Sequence, residues 1–130
     1  MEKSCGTITI KDNKVLMVLQ NLGHMSFPKG HVEEGETEED TAIRETYEET
    51  GVIVKIKENS PRFMVSYPVN NTIKDVIFFF ADVIDDKNIR PQDTEVKEVI
   101  WQDIKKVRES LVYENAQKMW DEVLNYLEVK

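Results

Sequence analysis

The stretch GHVEEGETEEDTAIRETYEETGV, residues 30–52, carries most of the information in this chain. Inside it, the run Thr37-Glu38-Glu39-Asp40 has the form of a capping box, the pattern that begins a helix. Gly51 is a good residue to end a helix, because glycine readily adopts the left-handed conformation found there. The stretch therefore predicts a helix from Thr37 to Thr50, preceded by a glycine-containing loop.

Three glutamates gather on one side of that predicted helix. Glu45, Glu48 and Glu49 are spaced i, i+3 and i+4, so their negative charges repel each other and weaken the helix. Between Thr37 and Thr50 the only basic residue is Arg44. A solvated acidic face is one interpretation. The uncompensated charges also favour a bound cation, because hard oxygen ligands suit Mg²⁺ or Mn²⁺. A backbone carbonyl in the preceding loop could be a further ligand.

Hydrophobic alternation on both sides of the helix predicts several strands. They are Thr7–Ile10 and Val15–Leu19, which form a hairpin, Val52–Ile56, Arg62–Tyr67, Val76–Val83 and Val96–Trp101. Residues 20–35 are predicted to be an ordered loop. An apolar stripe with helical spacing indicates a second helix; it comprises Ala116, Met119, Trp120, Val123, Leu124 and Leu127. The order predicts an α/β fold, an α/β/α sandwich with a mixed sheet, in one domain spanning residues 1–130.

Composition narrows the possible partners. The 130 residues include 17 basic and 25 acidic side chains, and the net charge of −8 argues against a broad electrostatic grip on DNA or anionic lipid. A small polyanionic ligand stays compatible, because a bound divalent cation can reverse the local sign. No apolar run approaches the roughly 20 residues that span a bilayer. The single cysteine, Cys5, excludes an internal disulfide and favours a soluble protein of the reducing cytoplasm.

The residue types and their spacing in 30–52 resemble a known signature, the Nudix box, G-x₅-E-x₇-R-E-U-x-E-E-x-G-U. The matching positions are Gly30, Glu36, Arg44, Glu45, Glu48, Glu49, Gly51 and Val52. One position departs, Thr46, where the pattern has a bulky aliphatic residue. The chain is thereby identified as a member of the Nudix (MutT-like) hydrolases, with its box at residues 30–52 and its Nudix domain over the whole chain.

The resemblance implies a metal-dependent hydrolase of a nucleoside-diphosphate-linked substrate. Glu45, Glu48 and Glu49 would hold Mg²⁺, or Mn²⁺ in its place, with help from the backbone carbonyl of Lys29. Arg44 would orient Glu45 by a charge-assisted hydrogen bond, and Glu36 would support the junction between loop and helix. Such a site has a physical logic: metal ions neutralise a polyanion that repels water, and a glutamate accepts the proton of the attacking water.

The wider sequence resembles one subgroup, the asymmetrical diadenosine tetraphosphate hydrolases. The segments that carry this resemblance are Cys5-Gly6, residues 27–33, residues 74–79, and Glu95 placed six before Trp101. The subgroup implies that Glu95 reaches the metal cluster from a loop as a candidate base, although Glu98 is a second candidate. Lys74 would contact phosphate, and Phe78, where a tyrosine is usual, or Tyr67 would stack on adenine. His31 would contact phosphate or shape the loop, whereas His24 is interpreted as an ordinary loop histidine.

The predicted function is thus hydrolysis of a dinucleoside polyphosphate by a monomer or homodimer that acts on a small molecule. Alternatives within the hydrolases are a clean-up enzyme for nucleoside triphosphates and an enzyme that removes pyrophosphate from RNA 5′ ends. A non-catalytic nucleotide sensor is disfavoured, because such modules typically lose box carboxylates and Glu45, Glu48 and Glu49 are all present. An isoprenoid diphosphate isomerase would want a cysteine near the pocket, and Cys5 is poorly placed for that.

Overall fold

The computed structural model describes residues 2–91 and 94–128, without the side chain of Glu2. Its eight strands are β1 (Glu2–Lys11), β2 (Lys14–Gln20), β3 (Met25–Ser26), β4 (Lys29–His31), β5 (Ile53–Ile56), β6 (Arg62–Val69), β7 (Thr72–Asp85) and β8 (Val96–Asp103). Its helices are α1 (Glu38–Thr50), α2 (Val107–Ser110) and α3 (Glu114–Glu128), and a 3₁₀ turn (Ile104–Lys106) precedes α2.

The strands form a mixed sheet centred on β1 and β7. These two strands run parallel, from the Glu2–Lys74 pair to the Thr9–Ala81 pair. All other pairings are antiparallel: β1 pairs with β2 and β4, β2 with β3 and β8, and β7 with both β5 and β6. Because β1 bonds to β4 near its start and to β2 at its end, it connects the strand that precedes α1 to the rest of the sheet.

Helix α1 begins and ends where the sequence predicts. The Thr37 hydroxyl accepts a hydrogen bond from the Asp40 N–H at 3.0 Å, and the Asp40 carboxylate accepts one from the Thr37 N–H at 3.3 Å. Gly51 ends the helix at φ +79°, and its N–H donates to the Tyr47 carbonyl at 2.8 Å. A side chain at Gly51 would also collide with the Asn88 carbonyl, since a Cβ would lie 2.1 Å from that oxygen.

Helices cover both faces of the sheet, which confirms the α/β/α arrangement. Helix α1 packs on one face, where the hydroxyls of Thr46 and Thr7 share a hydrogen bond of 2.8 Å beneath it. Helix α3 packs on the other face through the fully buried Trp120 and its neighbours. Phe78 and Phe80 belong to the core under α3, and Phe79 points to the α1 side. All three phenylalanines are buried because neither face of β7 is left to solvent.

The loop predicted for residues 20–35 is wrong in part, because it contains two short strands. β3 pairs with β2, and β4 pairs with β1 through Ser4–His31, Cys5–Gly30 and Gly6–Lys29. These strands have only two and three residues, too few to leave an alternating pattern, so their distant partners define them. Pairing between β1 and β7 also extends both strands beyond their predicted ends. Helix α2 has only four residues, too few to show a helical pattern, and was not predicted.

Candidate active site

A cavity of about 600 Å³ opens on the face of the sheet that also carries α3. Its wall brings together β4, the end of α1, β6, β7, the residues just before β8 and the segment between α2 and α3. Seven residues that the sequence singled out line it: Lys29, His31, Glu49, Tyr67, Lys74, Phe78 and Glu95. Arg44, Glu45 and Glu48 lie beside it, on the exposed side of the β4–α1 junction.

Glu49 is the most deeply buried of the three box glutamates, with a residue exposure of 6%. One of its oxygens accepts a hydrogen bond from the Lys29 N–H at 3.2 Å. The pKa of Glu49 is raised to about 7, mainly by burial and to a lesser extent by the charges of Glu45 and Glu95, against the opposing effect of Lys29. The positive charge near Glu49 is therefore too small to offset the cost of burying its ionised carboxylate.

Glu45 lies directly against Gly30 at the floor of the junction. A Cβ at position 30 would lie 2.0 Å from the Glu45 carboxyl carbon, so any other residue there would displace this carboxylate from its present position. Burial raises the pKa of Glu45, although the neighbouring Arg44 lowers it. Gly30 therefore leaves the space that the Glu45 carboxylate occupies.

Arg44 connects the box carboxylates to the loop. Its guanidinium donates to both oxygens of Glu36, at 2.6 and 3.0 Å, to Glu45 at 2.8 Å and to Glu48 at 3.1 Å. It also donates to the His31 carbonyl at 3.0 Å, which ties β4 to α1. These hydrogen bonds, that to Glu36 above all, raise the pKa of Arg44 beyond its usual range. The arginine thus holds two predicted metal ligands in place.

Glu36 fastens the loop to the start of α1. Its carboxylate accepts hydrogen bonds from the Glu33 N–H at 3.0 Å and the Thr41 hydroxyl at 2.8 Å, in addition to those from Arg44. These bonds, with Arg44 the largest, lower the pKa of Glu36 to about 2. A carboxylate with four donors around it is permanently ionised and serves the junction rather than the chemistry.

The donor chemistry of the site fits a hard divalent cation. Three carboxylates within one turn of α1 offer only oxygen atoms, the ligands that Mg²⁺ and Mn²⁺ prefer. Burial raises the pKa values of Glu45 and Glu49, a penalty that a nearby cation would remove. Across residues 2–91 and 94–128, no three His, Cys, Asp or Glu side chains converge tightly enough to hold a metal ion. Glu45 and Glu48 each bond to Arg44 through one carboxylate oxygen, and Glu49 bonds to the Lys29 N–H through one oxygen.

Two lysines lie on the cavity face of the sheet. Burial is the main cause that lowers the pKa of the Lys29 ammonium, and repulsion from Lys74 is the next. The carboxylates of Glu49, Glu95 and Glu45 act in the opposite direction. Lys74 pairs across the sheet with Tyr67, which places it farther from α1. The cavity therefore places two lysines in the same wall as Glu49 and Glu95, within a protein of net charge −8.

Aromatic rings form the other end of the cavity. The Tyr67 and Tyr113 ring centroids lie 5.9 Å apart in an edge-to-face pair, and His24 meets Tyr113 at 6.4 Å. Phe78 is only 5% exposed and packs edge-to-face on Phe27, so little of its ring is open to a ligand. Sequence reasoning missed Tyr113 and left His24 aside. The one signal for Tyr113 was its place in an apolar run, residues 111–113, outside the helical stripe.

Glu95 lies in the cavity wall, whereas Glu98 does not. Asn21 at the end of β2 fixes the backbone here, because its N–H donates to the Glu95 carbonyl at 3.1 Å and its side-chain amide to the Thr94 carbonyl at 2.5 Å. Glu95 acts electrostatically on both Glu49 and Lys29. The structure thus brings the side chain of Glu95, from a different part of the chain, into the neighbourhood of the box. Asn21 is a second residue that the sequence did not reveal.

Comparison of the sequence with known proteins shows which family the chain matches. A family model described as NUDIX domain matches residues 3–123. The chain is 38% identical to the rat (Rattus norvegicus) bis(5′-nucleosyl)-tetraphosphatase [asymmetrical] over 73 residues, which cover 55% of this chain and 50% of the relative. It is 39% identical to the NAD-capped RNA hydrolase NudC of Chromobacterium violaceum over 82 residues, 63% of this chain and 29% of that protein. The chain thus spans half or less of the length of these two relatives.

A likeness in structure extends over the whole chain. The crystal structure of a C. elegans Ap4A hydrolase binary complex superposes with a TM-score of 0.84, and the match covers 100% of both chains at 21% identity. This similarity shows the fold. No helix among the described residues is long and apolar enough to cross a membrane.

Proposed function

This chain belongs to the Nudix family, and from that premise we propose that it hydrolyses dinucleoside polyphosphates such as diadenosine tetraphosphate in a Mg²⁺-dependent reaction. Hydrolysis of nucleoside polyphosphates, the choice of substrate, the metal ion and a location in the cytoplasm are all part of this proposal. Mn²⁺ would be a working substitute, because it accepts the same oxygen ligands.

One observation carries the choice of substrate: the order of the groups along the cavity. Glu49 contacts the backbone of Lys29, Lys29 feels the charge of Lys74, and Lys74 is the cross-strand partner of Tyr67. Tyr67 in turn contacts Tyr113. A carboxylate cluster, two cations and an aromatic pair in that order match a ligand with a scissile anhydride, a chain of phosphates and a nucleobase. The aromatic pair, rather than Phe78, is proposed to bind the base, because the Tyr113 residue is 55% exposed.

The roles of the residues follow from their surroundings. Glu45, Glu48 and Glu49, with the Lys29 carbonyl, would hold Mg²⁺, which when bound neutralises the anhydride and acidifies water. Arg44 holds Glu45 and Glu48 by hydrogen bonds. Glu95 would accept the proton of the attacking water, because it lies in the cavity wall and outside the hydrogen bonds of Arg44. Lys29, Lys74 and His31 would contact the phosphates.

A substrate panel tests the proposal. Purified protein is assayed with Mg²⁺ and with excess EDTA on diadenosine tetraphosphate, canonical and oxidised nucleoside triphosphates, ADP-ribose, and capped or triphosphorylated RNA. The expected result is the highest kcat/KM for the dinucleoside polyphosphate, with ATP and AMP as products and no turnover in EDTA. Hydrolysis in H₂¹⁸O identifies the cleaved bond from the labelled product.

Two outcomes would contradict the proposal in different ways. A higher kcat/KM for a nucleoside triphosphate or for RNA would leave the hydrolase and replace its substrate. Undiminished turnover in EDTA would show that the reaction does not depend on a metal ion. An oligomer measurement by light scattering in the same buffer distinguishes a monomer from a homodimer.

A further inference from the structure

One buried hydroxyl in the cavity wall has no hydrogen-bond partner. In the part of the chain that the structure describes, Ser4 Oγ and Trp120 Nε1 are the buried side-chain polar atoms without a partner. Of these two residues only Ser4 lines the cavity. Buried hydroxyls are normally satisfied, as those of Thr7, Thr9 and Thr46 are on the opposite face. An unsatisfied one in a ligand cavity calls for a partner that comes with the ligand.

The position of Ser4 in the sheet indicates which part of a ligand it meets. Ser4 lies on β1, opposite His31 on β4 and Val76 on β7. Gly6, two residues along, is opposite Lys29, while Lys74 lies two residues before Val76 on β7. Residues two apart on a strand share a face, so Ser4 occupies the row between those of Lys29 and Lys74.

We propose that the Ser4 hydroxyl donates a hydrogen bond to a phosphate oxygen of the substrate, at the phosphate held between Lys29 and Lys74. This inference rests on the proposed function and assigns a further residue to the same cavity. A phosphate is the group that fits, because Lys29 and Lys74 lie in the rows on either side of Ser4 and its hydroxyl can donate to an anionic oxygen. The aromatic pair that would take the base is farther across the sheet, at Tyr67 and beyond.

The missing partner makes this role separable from a structural one. Because Ser4 Oγ has no bond within the protein, removing it takes nothing from the fold, and Ser4→Ala is expected to leave Tm unchanged or raise it. Thr9 provides a matched control on the same strand, since its hydroxyl donates to the Thr7 hydroxyl at 3.0 Å on the face away from the cavity. Thr9→Val is expected to lower Tm and to leave ligand binding unchanged.

The experiment compares wild type, Ser4→Ala and Thr9→Val in two measurements. Isothermal titration with inorganic tripolyphosphate in EDTA reports phosphate binding without metal or turnover. Steady-state kinetics with diadenosine tetraphosphate and Mg²⁺ report KM and kcat. For Ser4→Ala we expect the tripolyphosphate Kd and the KM to rise about tenfold, the size expected for one hydrogen bond to a charged group. We expect kcat to change little, because a hydrogen bond made equally to the bound substrate and to the transition state affects binding rather than the chemical step.

An unchanged tripolyphosphate Kd in Ser4→Ala overturns the assignment and indicates that the hydroxyl is satisfied by a buried water alone. Weaker binding by Thr9→Val to the same extent also overturns it, since the effect would then be a general loosening of β1. If tripolyphosphate binding depends on Ser4 while wild type hydrolyses no dinucleoside polyphosphate, the assignment stands and the proposed substrate fails. If wild type hydrolyses dinucleoside polyphosphates and Ser4→Ala changes neither the KM nor the tripolyphosphate Kd, the proposed substrate stands and the Ser4 assignment fails.

Discussion

Replacing Glu49 by glutamine should make the protein more stable and nearly inactive. The exchange conserves volume and leaves an amide oxygen that can still accept from the Lys29 N–H, now at 3.2 Å from Glu49. It removes a negative charge that is buried to 6% exposure. The free energy of unfolding should therefore rise, and metal binding and activity should fall.

The gain in stability can be worked from the pKa. Burial raises the pKa of Glu49 from an ordinary 4.5 to about 7, so the unfolded chain releases this proton at lower pH than the folded one. The cost to the folded state is absent below about pH 4.5, grows as pH rises towards 7 and is then constant. Each tenfold change in the protonation equilibrium is worth about 1.4 kcal/mol, which gives a cost of about 3 kcal/mol at neutral pH. Glu49→Gln should remove most of it in metal-free buffer.

The loss of activity should be at least about 100-fold in kcat, since removing even a partner of a metal ligand costs roughly 10- to 100-fold. Urea unfolding in EDTA at pH 5 and pH 7.5 measures the first effect, and hydrolysis of diadenosine tetraphosphate with Mg²⁺ measures the second. Glu122→Gln, an exposed exchange on α3, is the control and should change neither quantity. Full Mg²⁺-dependent turnover in Glu49→Gln, or a variant less stable than wild type at pH 7.5, would refute the reasoning.

Four further changes test other parts of the cavity and its support. Lys74→Ala should raise KM for diadenosine tetraphosphate with Mg²⁺ binding unchanged, and an unaltered KM would count against a phosphate contact. Tyr113→Ala should weaken binding of ADP, measured by titration, but not of inorganic tripolyphosphate, because only the nucleobase meets the ring; equal losses would contradict a base contact. Asn21→Ala should lower kcat more than it raises KM, since it removes the side-chain hydrogen bond to the Thr94 carbonyl that helps to hold the backbone carrying Glu95; an unchanged kcat with a normal pH profile would reject that role. Glu36→Gln should lower the free energy of unfolding at pH 7, and the deficit should shrink as pH falls from about 4.5 towards 2, since the folded pKa is depressed to about 2; a deficit independent of pH in urea titrations would show that charge is not its cause.

Local patterns were enough to predict α1 and both of its ends. The capping residue and the terminal glycine act on residues within four positions of them, and the structure has both as predicted. The strand pairings between β1 and β7 or β1 and β4 join residues far apart in sequence, and β4 was missed for that reason. Its three residues, Lys29–His31, are a strand only because β1 lies beside them.

The site divides in the same way. The carboxylates and Lys29 come from one continuous segment, whereas the aromatic end depends on Tyr113, which reaches Tyr67 only after the chain has crossed the sheet and passed α2. Phe78 was a candidate from the subgroup resemblance, but the side chain is covered on the α3 side by Phe27. Asn21 and Ser4 could not be singled out from the sequence. The role of Asn21 depends on its hydrogen bonds to the backbone of residues 94 and 95, and that of Ser4 on a hydroxyl without a partner, and neither feature is visible before the chain is folded.

The hydroxyl contact under α1 has a consequence for how the box evolves. Thr46 stands where an aliphatic residue is usual, and its hydroxyl bonds to that of Thr7, which also accepts from Thr9. If α1 shifted along the sheet by one turn, these buried hydroxyls would lose their hydrogen bonds in an apolar environment, which costs free energy. The contact therefore fixes the position of α1 on the sheet and with it the position of the glutamates. Positions 7, 9 and 46 should consequently change together, because loss of the Thr7 oxygen would also leave the buried Thr9 hydroxyl without its acceptor.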